Sequence, residues 1–289
     1  MKVTVKAYAK INLMLDILST LENGYHDLFM IMQSVGIYDR VTVTKTESEG
    51  IEITCSKENV PTDERNIVHK VATRFFADTG VKNTGIAIHI EKNIPQAAGL
   101  AGGSADGAAT LVALNELFGT KLSLKEMAQT GGKIGADIPF CIMGGTMAAQ
   151  YTGTVLSFLP DIEIENIVIV KPKQDVSTGE AYAAFDSAER VRHLDTRGML
   201  IAAATQDKKG IFDRVDNVFE QFIDVPDRVV IKGVMRKYGC ECCCMSGSGP
   251  SVFGIFEKKE DAEKCLEELK KDYDEAYLCS AVGNGCEVE

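Results

Sequence analysis

A segment of small residues, Pro95 to Asp106, leads directly into a helical pattern that continues to Phe118. Glycines in such a loop let backbone N–H groups approach a phosphate closely, and the dipole of the following helix favours negative charge at its N-terminus. The segment lacks the lysine of a GxxxxGK[ST] loop, and its glycines do not have the G-x-G-x-x-G spacing of a dinucleotide-binding turn. We therefore expect a helix over 102–118 whose N-terminus binds a phosphate by a third type of loop.

The charge of the chain disfavours several classes of partner. The 289 residues carry a net charge of −11, which disfavours nucleic acids and anionic membranes because both reward basic surfaces. A phosphate ligand then requires positive potential that is supplied locally, by backbone amides, one or two lysines or a divalent metal ion.

Two stretches of the chain favour a cytoplasmic protein. Residues 1–6 include no apolar run of the kind found in a signal peptide. The uncharged stretch 138–160 is interrupted by prolines, a glycine pair and threonines, which makes it too polar and too broken for a membrane span. We interpret this stretch as a buried strand hairpin that turns near Thr152 and Gly153.

The nine cysteines are expected to be reduced, because disulfide frameworks are typical of short secreted chains. Four of them cluster at Cys240, Cys242, Cys243 and Cys244. Zinc binding is the less favoured interpretation: successive strand side chains point to opposite faces, and no second Cys/His pair follows at zinc-finger spacing. A strand of small apolar residues is the preferred interpretation.

The hydrophobic periodicity predicts an α+β protein with two domains, 1–157 and 158–289. Strands are predicted over 3–8, 13–17, 28–38, 41–44, 85–91, 162–170, the cysteine segment, 251–256 and 275–282, with turns near 22–24 and 39–40. Helices are predicted over 66–78, 102–118, 123–130, 177–185, 197–205, 217–222, 228–238 and 259–272. Gly80 is expected to end the first helix, and Ser123 and Glu126 form the pattern of a capping box.

Three further segments carry residues suited to chemistry. Alternation along a strand places Lys10 and Asn12 on one face, although an ordinary amphipathic strand with a solvated lysine has the same pattern. Asp137 precedes a strand-like apolar run and is either a turn former or a buried functional carboxylate. Met245 to Ser251 forms a loop with free backbone donors, which by itself is also typical of a plain turn.

Together and in this order, these segments resemble the GHMP kinase superfamily of small-molecule kinases. Pro95 to Ala105 matches the middle motif of that family, P-x-x-x-G-L-(G/A)-G-G-S-(S/A), Met245 to Ser251 matches its C-terminal motif, and Asp137 matches its catalytic aspartate. The segments Ala7 to Leu13 and Gly24 to His26 narrow the resemblance to members whose acceptor carries a cytidine diphosphate group. The resemblance covers essentially the whole chain.

The resemblance implies a fold and a reaction. The implied fold has a ribosomal-S5-domain-2-like N-terminal domain and a ferredoxin-like C-terminal domain, with the active site in the cleft between them. The implied reaction transfers the γ-phosphoryl group of ATP to the 2-hydroxyl of a cytidine diphosphate-linked sugar alcohol, in the non-mevalonate pathway of isoprenoid precursor synthesis. Mg²⁺ is expected to bridge the phosphate oxygens, and the resemblance assigns no protein ligand to it.

The resemblance also implies roles for individual residues. Asp137 would accept or orient the proton of the acceptor hydroxyl, and Lys10 beside it would keep it ionised and stabilise developing negative charge. A structural ion pair is the alternative for these two residues. The implied nucleotide contacts are Asn66, Lys92, Pro95, Gly99, Leu100, Ala101, Gly102, Gly103 and Ser104. The implied acceptor contacts are Asn12, Tyr25, His26, Thr178 and Tyr182, where the tyrosines offer stacking faces for a base.

Some alternatives remain open at this stage. Lys92 is also consistent with a solvated lysine at a strand end, and Tyr182 with core filling on an amphipathic helix. Ala105 replaces a second serine that many members of the family carry, which removes one hydroxyl from the loop. Another GHMP small-molecule kinase, or a catalytically silent nucleotide-binding regulator on the same fold, is the competing functional hypothesis.

Overall fold

A computed structural model describes all residues from 1 to 289 and contains two β-sheets with helices packed against them. The strands are β1 (Lys2–Thr20), β2 (His26–Lys45), β3 (Ile51–Cys55), β4 (Ile86–Glu91), β5 (Thr146–Tyr151), β6 (Val155–Phe158), β7 (Asn166–Val170), β8 (Asp216–Asn217), β9 (Cys242–Met245), β10 (Val252–Phe256), β11 (Ala276–Cys279) and β12 (Cys286–Val288). The α-helices are α1 (Ile67–Thr79), α2 (Gly102–Phe118), α3 (Leu124–Gly132), α4 (Ile138–Met143), α5 (Thr178–Asp186), α6 (Thr196–Ala204), α7 (Lys208–Phe212), α8 (Pro226–Lys237) and α9 (Lys259–Leu269), and a 3-10 helix spans Val218–Gln221.

The first sheet is built on two long antiparallel strands, β1 and β2, in the order β12-β1-β2-β4-β3. The hairpin of β5 and β6 extends from β2, and β8 pairs in parallel with β1. Helix α2 packs against β1 and β2, and most of its residues are buried. This helix is therefore the central core element, and its N-terminus is held firmly at the edge of the cavity described below.

The second sheet has the order β11-β7-β10-β9, with every neighbouring pair antiparallel. Numbered within this sheet along the chain, the order is 4-1-3-2, and helices α8 and α9 pack on it. This is the β-α-β-β-α-β arrangement expected of a ferredoxin-like domain. The final strand β12 returns to the first sheet and pairs with Val5 to Ala7 of β1. The division of the chain at 157/158 stays a prediction.

Most predicted elements are present. Asn66 caps α1 through its side chain, Gly80 ends that helix in the left-handed conformation, and Ser123 with Glu126 forms the expected capping box. Residues 102–118 form one helix, and a hairpin turns at 152–154 between β5 and β6, although β6 is mostly exposed instead of buried because it pairs only with β5 at the sheet edge. None of the helices combines the length and the apolar composition that a membrane span requires.

Two local predictions were wrong. No turn interrupts β2 at 39–40. Asp39 is fully buried and pairs with Lys92, so this tertiary contact outweighs the turn propensity of the residue. The apolar run after Asp137 is a short helix, α4, instead of a strand, and its Pro139 occupies a first-turn position where no backbone N–H is needed. The short elements β3, α7, β8 and β12 were not predicted.

Candidate active site

One cavity of about 1240 Å³ contains every site residue that the sequence analysis named. Its wall is formed by the 95–104 loop, strand β1, the 132–137 loop, the 24–26 segment, the 152–154 turn, helix α5 and the 247–249 loop. Sequence positions that span more than two hundred residues thus converge on one space. Its volume exceeds the range of an ordinary pocket for one small ligand.

The N-terminus of α2 presents free backbone donors to this cavity. The preceding residue, Ala101, has a left-handed conformation with φ of 59° and supplies no side-chain cap. The first N–H groups of an α-helix have no partner within the helix, so those of Gly102, Gly103 and Ser104 are available to an anion. The Ser104 hydroxyl makes no hydrogen bond within the chain and lines the same cavity.

Gly99 brings the two motif loops into contact. Its φ is 72°, and a side chain there would overlap the carbonyl oxygen of Ser246. The Gly99 carbonyl accepts hydrogen bonds from the Ser246 hydroxyl at 2.9 Å and from Lys10 Nζ at 2.8 Å. Asn217, which the sequence analysis missed, donates from Nδ2 to the carbonyls of Met245 and Gly247 and holds the second loop in place.

Lys10 is buried, not solvated, with 4% of its surface exposed. Its ammonium donates to Asn12 Oδ1 at 2.7 Å as well as to Gly99, and Asn12 Oδ1 also accepts the Gly247 N–H at 3.0 Å. Burial lowers the pKa of Lys10, and the nearby charge of Asp137 opposes that shift. The shared face of Lys10 and Asn12 is confirmed.

Asp137 lies at the start of α4 and lines the cavity with Lys10. Its carboxylate makes no capping hydrogen bond to α4, and no salt bridge joins it to the Lys10 ammonium, whose partners are Asn12 and Gly99. The carboxylate oxygens are therefore free to accept a proton or a hydrogen bond from a bound molecule. The structural ion pair considered for these two residues does not form.

Lys92 forms a buried cluster with two carboxyls. Its Nζ lies 2.5 Å from Asp39 Oδ2 and 2.8 Å from Asp106 Oδ2, and Asp39 Oδ1 accepts the N–H groups of Asn93 and Ile94. Burial alone would lower the pKa of Lys92, but the two carboxyls raise it above its ordinary value. The alternative of a solvated lysine is wrong, and the ammonium already has two partners beside the phosphate loop.

Asp39 and Asp106 were not predicted as site residues. Burial raises the pKa of Asp106 well above its usual range, Lys92 opposes the shift and Asp39 adds to it. One ammonium therefore faces two carboxyls in this buried cluster. The available signal was the position of Asp106 among small residues of a predicted helix, since a buried carboxyl is rarely left without a partner.

The oxygen atoms near the phosphate loop suit a magnesium ion. Asp106 Oδ1 is buried without a hydrogen-bond partner, and Ser104 Oγ and the Asp137 carboxylate line the same cavity. Mg²⁺ prefers hard oxygen ligands and is commonly held by one or two carboxylates together with substrate phosphates. No group of three or more His, Cys, Asp or Glu side chains is placed to hold a metal ion by protein ligands alone.

The other end of the cavity is aromatic. Tyr25 is 65% exposed, and the His26 ring stacks on Tyr182 with 4.6 Å between centroids and 25° between planes. Tyr182 and Phe219 pack edge to face with 5.1 Å between centroids, so the Tyr182 ring is held against the core while it lines the cavity. Thr178 bonds to the Ser248 hydroxyl at 3.1 Å, which links α5 to the second motif loop.

Comparison with known proteins gives two matching domain families and close relatives. Residues 66–145 match the GHMP kinases N-terminal domain, and residues 228–275 match the GHMP kinases C-terminal domain. A 4-diphosphocytidyl-2-C-methyl-D-erythritol kinase of Clostridium acetobutylicum is 42% identical over 96% of this chain and 99% of its own length. One of Caldicellulosiruptor saccharolyticus is 42% identical over 97% of both chains.

Solved structures give the same result for the fold. A crystal structure of 4-(cytidine 5'-diphospho)-2C-methyl-D-erythritol kinase has a TM-score of 0.78 and 28% identity, and the match covers 98% of this chain and 100% of that one. Homoserine kinase from Cytophaga hutchinsonii has a TM-score of 0.81 at 22% identity, covering 100% and 97%, which supports the fold alone. The two-domain α+β fold is confirmed.

Proposed function

This chain belongs to the 4-diphosphocytidyl-2-C-methyl-D-erythritol kinases of the GHMP kinase family, and we propose that Asp137 and Lys10 are its catalytic residues. They would assist transfer of the γ-phosphoryl group of ATP to the 2-hydroxyl of 4-diphosphocytidyl-2-C-methyl-D-erythritol. The protein is an ATP-dependent small-molecule kinase of isoprenoid precursor synthesis. The observation that carries the assignment of residues is the unpaired Asp137 carboxylate, which lines one cavity with Lys10 and the α2 N-terminus.

The phosphate loop binds and orients the nucleotide. The free N–H groups at the start of α2 bind phosphate oxygens, with the Ser104 hydroxyl as a further donor. The remaining loop residues shape the pocket, and Asn66 lines it at the start of α1. Ser104 and Asp106 or Asp137 would hold a Mg²⁺ ion together with the nucleotide phosphates, and the ion would supply charge neutralisation there. Lys92 keeps the base of the loop in place through Asp106.

The acceptor end binds the cytidine group. Tyr25 and Tyr182 offer aromatic faces, and His26 offers a ring nitrogen and a backbone group for the hydrogen-bonding edge of cytosine. Asn12 and Thr178 line the path between this end and the phosphate loop. The acceptor therefore lies with its sugar alcohol between Asp137 and the phosphate loop.

Phosphoryl transfer requires in-line positioning and charge neutralisation more than covalent help from the protein. The Asp137 carboxylate accepts the proton of the acceptor 2-hydroxyl while the oxygen of that hydroxyl forms a bond to the γ-phosphorus. The bond from that phosphorus to the bridging β,γ-oxygen breaks, and ADP leaves. The Lys10 ammonium stabilises negative charge on the transferred group. The nine free cysteines support a reducing, cytoplasmic location for this reaction.

The test measures Mg²⁺-dependent ATP consumption with purified 4-diphosphocytidyl-2-C-methyl-D-erythritol. We expect turnover by the wild type and a loss of at least ~10²-fold in kcat for Asp137→Asn, which keeps the size of the side chain and removes the base. Circular dichroism and ATP binding serve as controls for folding. If the wild type bound ATP but did not turn over this acceptor, the proposed acceptor substrate would be wrong. The remaining hypotheses would be another GHMP kinase activity or a silent nucleotide-binding protein.

A further inference from the structure

His26 and Asp186 both line the cavity and are joined by a hydrogen bond that the proposed mechanism does not use. His26 Nε2 lies 2.8 Å from Asp186 Oδ1. The histidine comes from the start of β2 and the aspartate from the end of α5, 160 residues later in the chain. The imidazole is buried, with 9% of its side chain exposed, whereas the Asp186 side chain is 49% exposed.

Helix α5 surrounds this imidazole on several sides. Tyr182, Phe185 and Asp186 are spaced i, i+3 and i+4, so they lie on one face of the helix. Tyr182 stacks on the ring at 4.6 Å, and Phe185 meets it edge-on at 5.7 Å with 86° between planes. These two ring contacts, together with the bond to Nε2, fix the ring orientation.

The bond to Asp186 also selects a tautomer of His26. An ionised carboxylate only accepts hydrogen bonds, so Nε2 carries the proton, and in a neutral imidazole the other nitrogen is then an acceptor. Nδ1 makes no hydrogen bond within the chain, and His26 lines the acceptor end of the cavity. His26 thus keeps one ring nitrogen as an acceptor, and its side chain lines the same end of the cavity as Tyr25 and Tyr182.

We propose that Asp186 is a positioning residue that makes the enzyme select a cytosine over a uracil base, an inference that rests on the proposed function. Cytosine has an exocyclic amino group, a donor, where uracil has a carbonyl, an acceptor. An acceptor at His26 Nδ1 pairs with the amino group and opposes the carbonyl. A site built around a specific hydrogen bond rejects an analogue that leaves it unmade. Without Asp186, the histidine is free to protonate Nδ1 and donate to uracil.

The kinetic test compares the cytidine substrate with the matching uridine diphosphate-linked acceptor in wild type, Asp186→Leu and Glu180→Leu. Glu180 is an exposed carboxylate on the same helix that does not line the cavity, so it serves as the control. We expect Asp186→Leu to reduce the preference for cytidine in kcat/KM by at least about tenfold, through KM more than kcat. Glu180→Leu is expected to keep the wild-type preference.

A second measurement does not depend on a variant or on turnover. The ¹⁵N chemical shifts of His26 in the wild-type protein, assigned by their loss in His26→Gln and recorded at pH 8, report which ring nitrogen is protonated. We expect a protonated Nε2 and an unprotonated Nδ1. A protonated Nδ1, or an unchanged base preference in folded Asp186→Leu, would overturn the proposal. A wild type that turns over neither acceptor would instead contradict the proposed function, whatever the tautomer.

Discussion

The Ser246 hydroxyl donates to the carbonyl oxygen of Gly99 at 2.9 Å, joining two loops that lie 147 residues apart in the chain. The same carbonyl accepts the Lys10 ammonium, so three segments of the active site meet at one backbone oxygen. One oxygen with two donors fixes the relative position of these segments. The catalytic geometry therefore depends on close backbone approach at Gly99.

We expect Gly99→Ala to abolish most turnover and to lower the free energy of unfolding by about 3 kcal/mol, since the added methyl overlaps the Ser246 carbonyl and the position has a left-handed φ. Urea unfolding and steady-state kinetics measure the two effects. The matched control is Gly80→Ala: Gly80 has a similar φ of 69° but nothing within 4 Å of the added methyl.

Gly80→Ala is expected to cost about 1 kcal/mol of stability, from conformational strain alone, and to leave kcat unchanged. Equal losses of stability in Gly99→Ala and Gly80→Ala would mean that the 95–104 and 247–249 loops move apart at little cost. That result would contradict the role of Gly99 in holding the two loops together.

Lys10→Met separates catalysis from folding. Both acceptors of the Lys10 ammonium keep another donor, because Asn12 Oδ1 still accepts the Gly247 N–H and Gly99 still accepts the Ser246 hydroxyl. Burial lowers the pKa of Lys10, so its charged form is not favoured by the fold. We expect stability to change by less than about 1 kcal/mol, and kcat to fall by ~10²-fold or more.

Lys6→Met is the control for Lys10→Met, since Lys6 lies on the same strand with a half-buried side chain that faces Glu287 away from the cavity. Lys6→Met is expected to keep the wild-type kcat, because Lys6 does not line the cavity. It should also cost little stability, because a partly exposed ion pair contributes little to the free energy of unfolding. A large loss of stability in Lys10→Met, with the residual fold still active, would assign Lys10 a structural role.

Local patterns predicted the elements that local forces decide. The helix over 102–118, the caps at Asn66 and Gly80 and the capping box at Ser123 all follow from residues within a few positions of each other. Lys10 and Asn12 were placed on one face by strand alternation alone. The motif residues of the site followed from the family resemblance, and the structure brings them into one cavity.

Contacts between distant residues were beyond the sequence patterns. Asp39 is a residue type that favours turns, yet its burial against Lys92 keeps β2 continuous. β12 is three residues long and is a strand only because β1 offers it a partner. Asp186 follows the last predicted residue of its helix, and nothing near it in sequence indicates His26 as a partner.

The Lys92 cluster makes stability depend on pH. A carboxyl with a raised pKa in the folded protein binds its proton more tightly there, so its contribution to stability is present below the unfolded pKa and declines as the pH rises through the folded pKa. Burial raises the pKa of Asp106 in this way, and Lys92 opposes the shift. Lys92→Met removes that opposition.

We therefore expect Lys92→Met to lose about 3–5 kcal/mol at pH 8, because two buried carboxyls are left without a cation, and to recover part of the loss at pH 5. Chemical unfolding at both pH values measures this. Adding Asp106→Asn should restore stability at pH 8 and flatten the pH dependence. If the single variant were equally stable at both pH values, the cluster would not be coupled as described.

Cys243 is expected to be the most reactive thiol at neutral pH. Contact with the Cys240 thiol lowers the pKa of Cys243 to about 7, burial opposes the shift, and the nearby cations Lys232 and Arg236 add to it. Burial raises the pKa of Cys279 to about 12. Because the thiolate is the nucleophile, a brief treatment with iodoacetamide at pH 7 should label Cys243 well before Cys279.

Cys240→Ala tests the cause of this reactivity. Without the Cys240 thiol, the pKa of Cys243 should return toward its ordinary value, and labelling at pH 7 should slow by several-fold while labelling at pH 9 changes little. Cys242→Ala is the control, because Cys242 packs against the main core while Cys240 and Cys243 pack against the smaller core of the second sheet. Mass spectrometry of the labelled peptides gives the rate at each cysteine. Equal rates for Cys243 in wild type and Cys240→Ala would show that the flanking cations, not the neighbouring thiol, set its reactivity.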